Sequence, residues 1–235
     1  MNARRIRDID YQLLPGSERK TTDIVIERNG TIAVRPPNDY SPEQVDAVVE
    51  SKRIWIYRNL AEWRDLNSTA VVREWVNGET FLYLGRSYRL ALVSEQNGDL
   101  KLKEGRFCLD RELIEKGGSA SAKSAFEHYY TSKGIDRIKQ RVKYFAEKVG
   151  VVPASVKIKD MSYRWASCSK TDALTFHWKC MMAPPKIIDY IVVHELCHIH
   201  HRNHTDAFWN EVDKVMPDYR ERKNWLRNNG ANMDL

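Results

Sequence analysis

The run His194-Glu195-Leu196-Cys197-His198, followed by His200, His201 and His204, gathers five of the chain's seven histidines into eleven residues. On a helix, positions i and i+4 lie on one face a turn apart, so His194 and His198 can aim imidazole nitrogens at a single cation. Glu195, one residue on, is angled toward the same opening. This spacing suits hydrolysis at a zinc ion: two nitrogens fix the metal, and the carboxylate takes a proton from the water the metal activates. A bare H-E-x-x-H also arises by chance on amphipathic helices. Here the further histidines and the apolar lead-in Ile187-Ile188 and Ile191-Val192-Val193 favour the metal.

A catalytic zinc has three protein ligands and keeps a fourth position for water, so a third ligand is needed. His204 is the leading candidate. Ten residues of unbroken helix would carry it about 15 Å along the axis from His194, beyond an imidazole's reach. The helix must therefore end first. Arg202-Asn203 is the expected stop, because asparagine tolerates a left-handed conformation and basic side chains favour a helix C-terminus. His201 competes, but at i+7 it sits about 10.5 Å up the axis, which makes it a supporting or solvated side chain. Asn203 is a second candidate for that supporting role, and Glu211 and Glu221 are weaker ligand candidates. Cys197, at i+3, points away from the shared face and reads as a small core residue.

These residues need a scaffold, and the chain punctuates it clearly. Asp23 to Glu27 and Thr31 to Val34 flank Arg28-Asn29-Gly30, a strong hairpin signal. Pro36-Pro37 stops the second strand, and Ser41-Pro42-Glu43 opens a helix expected to reach Leu66, with Val45, Val48, Val49, Ile56 and Leu60 apolar and Trp55 and Trp63 as large packing residues. Further strands near 79–110 are separated by Gly85, Asn97-Gly98 and Gly105. Together these predict an N-terminal antiparallel β unit with a long helix, over 1–116. Lys116-Gly117-Gly118-Ser119 reads as a linker to a second domain, 119–235, that starts with a helix over 120–149. A short β-hairpin follows between 156 and 178, then Pro184-Pro185 at the start of the metal helix, then a helix from Asp206, with Phe208, Trp209 and Val212 apolar, that is expected to roof the site. The fold class is α+β.

At 235 residues the chain can bury a substantial core. It has no apolar run of about eighteen residues, so no membrane partner is predicted, and no signal-peptide segment follows Met1. The four cysteines, Cys108, Cys168, Cys180 and Cys197, include no C-x-x-C pair, which suits reduced thiols and a cytoplasmic location. A net charge of +6 and a pI near 9.1 would help attract anions, including nucleic acid. Basic and acidic residues are interspersed, however, so a mixed solvated surface is the plainer reading.

Arg164-Trp165-Ala166-Ser167-Cys168-Ser169, Pro184-Pro185, Ile188 to Val193, His194 to His198, Asn203-His204 and Phe208-Trp209 together resemble the YgjP-like family of metal-dependent hydrolases, which are similar to zincin metallopeptidases. Looser likeness extends through Arg19-Lys20-Thr21-Thr22, Trp55-Ile56 and Tyr83 to Tyr88, so it spans nearly the whole chain. The resemblance implies a zincin-like catalytic domain with one zinc on His194, His198 and His204, and Glu195 as general base. It also implies a hairpin at 164–169 beside the cleft. Ala166 stands where the family pattern has glycine, a residue free to take positive φ.

Three readings of function follow. The first is a zinc-dependent, metallopeptidase-like hydrolase, with Tyr163 or Arg164 steadying developing negative charge and a sheet edge holding an extended peptide. The second is a nucleoside triphosphate (UTP) pyrophosphatase at the same metal, implied by the family's namesake. It would want converging cations, for which Lys157, Lys159, Arg164, Lys170 and Lys179 are candidates, and it lacks a Walker loop. The third is a nucleic-acid-associated module with a structural zinc, whose site would be closed by a fourth protein ligand. Nickel, cobalt or iron would also suit three histidines.

Overall fold

The computed structural model, which describes residues 2–18, 20–27, 30–67, 73–161 and 164–235, turns the first alternating runs into four short strands. They are β1 (Asn2–Ile6), β2 (Ile9–Leu13), β3 (Asp23–Ile26) and β4 (Ile32–Arg35). β3 and β4 pair antiparallel as the hairpin signal predicts, with Ile26 opposite Ile32; Arg28 and Asn29 of its turn lie outside the described residues. The sheet order is β1-β2-β4-β3, and its central pair, β2 and β4, is parallel. Ser41 caps α1 (Pro42–Ser51) in a reciprocal capping box with Gln44. The single helix expected to Leu66 is broken. Lys52 departs from helical ψ, the Ser51 hydroxyl donates to the Val48 carbonyl at 2.7 Å, and α2 (Arg53–Asn67) begins anew. Ile9, Tyr11, Ile32, Val34, Val45, Val49 and Ile56 form the core of this first unit. Trp55, expected to pack, is 44% exposed because its neighbour Ile56 takes the inward position. The side chain of Trp63 is outside the described residues.

A second set of four strands repeats that order. β5 (Thr80–Tyr83), β6 (Arg86–Val93), β7 (Leu100–Lys103) and β8 (Arg106–Asp110) run β5-β6-β8-β7, again with a parallel central pair. The expected all-antiparallel unit is thus two sheets, each with one parallel pairing between strands distant in sequence. Asp110 caps α3 (Arg111–Val149), which ends at left-handed Gly150.

The division between compact units falls at Ala70 and Val71, not at the expected 116–119. Lys116 to Ser119 lie within α3, where Gly118 (φ 60°, ψ −156°) adopts a conformation open only to glycine and kinks the helix. The second sheet buries Phe81, Leu90, Phe107 and Leu109 in the same core as Phe126 and Tyr130 of α3, so it belongs with the helix that carries His194 and His198.

Three more strands follow: β9 (Ser155–Lys159), β10 (Ala166–Cys168) and β11 (Ala173–His177), ordered β10-β11-β9. The expected hairpin over 156–178 is therefore a three-stranded sheet. Its hairpin is β10–β11, while β9 lies parallel to β11. A 3-10 turn, Trp178–Met182, leads to α4 (Pro185–His200), then α5 (Asp206–Val215) and α6 (Tyr219–Asn229). The architecture is α+β. No described helix is long and apolar enough to cross a membrane.

Candidate metal centre

α4 starts at Pro185, with Pro184 at its N-cap, and buries Ile187, Ile188, Ile191, Val192, Val193 and Leu196. Each such side chain contributes about 1.5–3 kcal/mol on burial, so these residues anchor the helix in the core. Arg141 of α3 adds a two-pronged ion pair to Asp189, at 2.6 and 2.9 Å. His194 and His198 sit on α4 one turn apart. The helix then ends at His200, because His201 swings into an extended conformation after its N–H closes the last turn on the Cys197 carbonyl at 3.0 Å. This stop comes before Arg202-Asn203, and Asn203 does not adopt positive φ. The expected left-handed asparagine is thus absent, and the extended His201 instead lets His204 return to His194 and His198.

His194, His198 and His204 form a group whose ligand atoms lie within 4.8 Å of one another. The Nε2 atoms of His194 and His204 are 3.0 Å apart. Tetrahedral zinc–nitrogen bonds of about 2.0–2.1 Å would set such a pair roughly 3.3 Å apart. Burial and the neighbouring imidazoles push the His194 pKa well below its usual value, and burial lowers His198 and His204. Three neutral imidazoles with two nitrogens face to face are a donor set that a divalent cation satisfies. His198 is oriented through its other nitrogen, Nδ1, 3.0 Å from the His201 carbonyl. His201 therefore supports the site through its backbone, while its ring stays out of the group. Asn203 contributes a carbonyl that accepts from the Thr205 N–H at 2.9 Å. His200 turns its Nε2 to the Val149 carbonyl. Glu211 pairs with Lys214, and neither it nor Glu221 joins the histidines. Cys197 is buried and outside the group, as expected.

Glu195 is buried beside the cluster. Burial pushes its carboxyl up to about 8, against the pull of the Arg164 charge and of a hydrogen bond from the Cys168 backbone N–H. Arg164 thus comes within electrostatic range of Glu195, whereas Tyr163 lies outside the described residues. Ala166 sits in β10 opposite Phe176 without positive φ, so alanine fits where glycine was expected. Of the supposed cationic rim, Lys179 is tied to Asp234 at 2.7 Å, and Lys157 and Lys159 lie on β9, two strands from β10.

Other parts of the site carry no side-chain signature readable in the sequence. The Cys168 amide is one, since any residue supplies an N–H. The fork of Arg202 is another: Nη1 reaches the Ser169 carbonyl at 2.7 Å and Nη2 reaches Asp172, joining the β10–β11 turn to the loop before His204. Phe208, fully buried on α5, places its ring 4.6–5.0 Å from all three histidine rings, so the helix expected to roof the site does lie against it.

The chain matches the YgjP-like metallopeptidase domain over residues 20–229. It belongs to the YgjP-like family. Two solved metallopeptidase zymogens overlap a part of this YgjP-like chain. Abylysin of Pyrococcus abyssi is 23% identical with a TM-score of 0.37, over 41% of this chain and 99% of that one. Jannalysin of Methanocaldococcus jannaschii is 25% identical with a TM-score of 0.35, over 38% and 92%. No curated protein matches. The family assignment rests on the domain match.

Proposed function

We propose that this YgjP-like protein is a zinc-dependent peptide hydrolase. The observation that carries the reading is the three-histidine cluster with a buried carboxylate, Glu195, on the same helix turn. His194, His198 and His204 would hold a zinc ion, which would supply a Lewis acid and make water nucleophilic near neutral pH. Burial alone would keep Glu195 protonated, and the positive charge of a cation on the neighbouring histidines would favour its carboxylate; in that form Glu195 would take the proton from the attacking water and deliver it to the departing nitrogen. The Cys168 N–H holds the carboxylate in place, and Arg164 offsets the cost of its ionised form. β10 is an edge strand, so its free side can hold an extended polypeptide by main-chain hydrogen bonds. Three histidine ligands leave a coordination position open, which a structural zinc would close with a fourth protein ligand.

The test is a turnover assay on one zinc-loaded preparation, offering an unfolded protein and nucleoside triphosphates side by side, with Glu195→Gln as control. Peptide bonds are cut, and the variant retains zinc while losing about 10²–10⁴-fold in rate. Cleavage of UTP with intact polypeptide would overturn the substrate, and undiminished cleavage by the variant would overturn the role of Glu195.

A further inference from the structure

The geometry points to Trp209 as the positioning residue for the third histidine: its indole plane sets the ring plane of His204. This rests on the reading of His194, His198 and His204 as metal ligands. The three are held very differently. His194 and His198 take their directions from α4, and the Nδ1 of His198 is pinned on the His201 carbonyl. His204 comes from a loop and is exposed. Among the described residues its hydrogen-bonding contact is with the Nε2 of His194, the contact a shared cation would replace.

Metal-bound imidazoles are ordinarily fixed by a hydrogen bond through their second nitrogen. At His204 an aromatic stack stands in that place. The His204 ring lies 22° from the Trp209 plane at a centroid distance of 5.6 Å. Trp209 is itself clamped. Tyr219 stacks on it at 5.3 Å and 15°, the Lys223 ammonium sits 4.1 Å from its centroid, and Phe208 meets it edge-on at 88°. α5 and α6 thus build a clamped aromatic plane beside a ligand that no helix carries. Phe208 touches all three ligands but is wholly buried in the common core, so it serves the fold as well. Trp209 is only half-buried, which makes its effect separable.

The experiment measures zinc dissociation constants by chelator competition, and the visible spectrum of the cobalt-loaded protein, in Trp209→Phe and Trp209→Leu. Each is made with His204 present and in a His204→Ala background. The leucine variant keeps apolar bulk but no ring plane, so circular dichroism should show a native fold. Its affinity falls about tenfold and its cobalt bands change, while Trp209→Phe stays within about threefold of the parent. In the His204→Ala background the loss in Trp209→Leu shrinks to about threefold or less, because the indole acts chiefly through that ring; its remaining contact is with the His194 ring, 5.8 Å away and tilted by 57°. Parent-like affinity in Trp209→Leu would overturn the proposal. So would an equal loss without His204, which would mark a merely structural role. If His204→Ala alone leaves affinity unchanged, the ligand reading fails and the proposal falls with it.

Discussion

The sheet of β1 to β4 and the sheet of β5 to β8 share one strand order, with an outer hairpin on each side of a parallel central pair, and each is followed by helix. They differ in what they pack against. The first closes a small, mostly aliphatic core on α1 and α2, with Asp46 of α1 accepting from Arg4 at 2.7 Å and Tyr11 at 2.5 Å. The second contributes to a large aromatic core that runs through Phe107, Phe126 and Tyr130 to Trp178, which stacks on Tyr130 at 4°. That core continues into α4, the helix carrying His194 and His198. Identical topology therefore has different consequences: one sheet holds its own unit, and the other holds the histidine-bearing helix.

Cutting each core at its centre should break or confirm this division. Phe107→Ala removes a fully buried ring and is expected to cost about 3–5 kcal/mol; Ile56→Ala, equally buried in the first unit, about 2–5 kcal/mol. Only the first should weaken zinc binding. In denaturant unfolding of the full chain, zinc should raise the midpoint of the transition that Phe107→Ala lowers, and leave the one lowered by Ile56→Ala in place. A single transition shifted alike by both variants would mean that the two cores act as one.

Acid should separate the units as well. All seven histidines lie beyond residue 70, so the first unit has none. His177 is nearly inaccessible, and burial, then the Lys179 charge, push its pKa down to about 4. Its neutral ring also accepts the Lys179 N–H at 3.1 Å, capping the 3-10 turn before α4. Because the folded value is depressed, the unfolded chain binds the extra proton. The stability is present above the unfolded value of about 6.5 and lost as pH falls from there toward 4, roughly 3 kcal/mol in all. In the first unit Asp46 is held low by hydrogen bonds from Arg4 and Tyr11, so its contribution disappears only as pH falls below the unfolded aspartate value of about 3.9. His177→Asn, which keeps a capping acceptor, should flatten the loss between pH 7.5 and 4.5 for the metal-bearing unit. An unchanged acid profile in that variant would assign the sensitivity elsewhere.

The same contrast explains what could be read from residues alone. The metal cluster is local: His194, Glu195, His198 and His204 fall within eleven residues, and periodicity plus Pro184-Pro185 sufficed to place them on and after one helix. The two sheets are not local. Leu90 lies beside Phe107 and Gln12 beside Ala33 in parallel register, pairings for which a hairpin signal has no counterpart. Gly117-Gly118 misled because a glycine that kinks a helix and one that ends it look alike in sequence. Ser68 to Val72, where the units divide, carries no proline or glycine. The Cys168 amide that holds Glu195 could not have been found from residue types.

The smallest test compares one turn in each sheet. Gly85, between β5 and β6, has φ 76°, and an added Cβ would lie 2.7 Å from Pro184 Cγ and 2.9 Å from its Cα. The turn is clipped to the approach of α4 by Leu84 N–H on the Met181 carbonyl at 2.8 Å and Gly85 N–H on that of Met182 at 3.0 Å. Gly85→Ala should therefore cost about 1–3 kcal/mol and displace the start of α4, with a measurable fall in zinc affinity. At the matching turn between β1 and β2, Arg7 already takes φ 52° and pairs with Glu50 from an exposed position. Arg7→Gly should stay within about 1 kcal/mol of the parent, since relief of the left-handed strain offsets the extra freedom of glycine in the unfolded chain. It should also leave zinc affinity alone. If both substitutions lowered zinc affinity equally, the sheets would differ less in role than their cores imply; if Gly85→Ala alone does, the clip at Pro184 is how the second sheet reaches the metal helix.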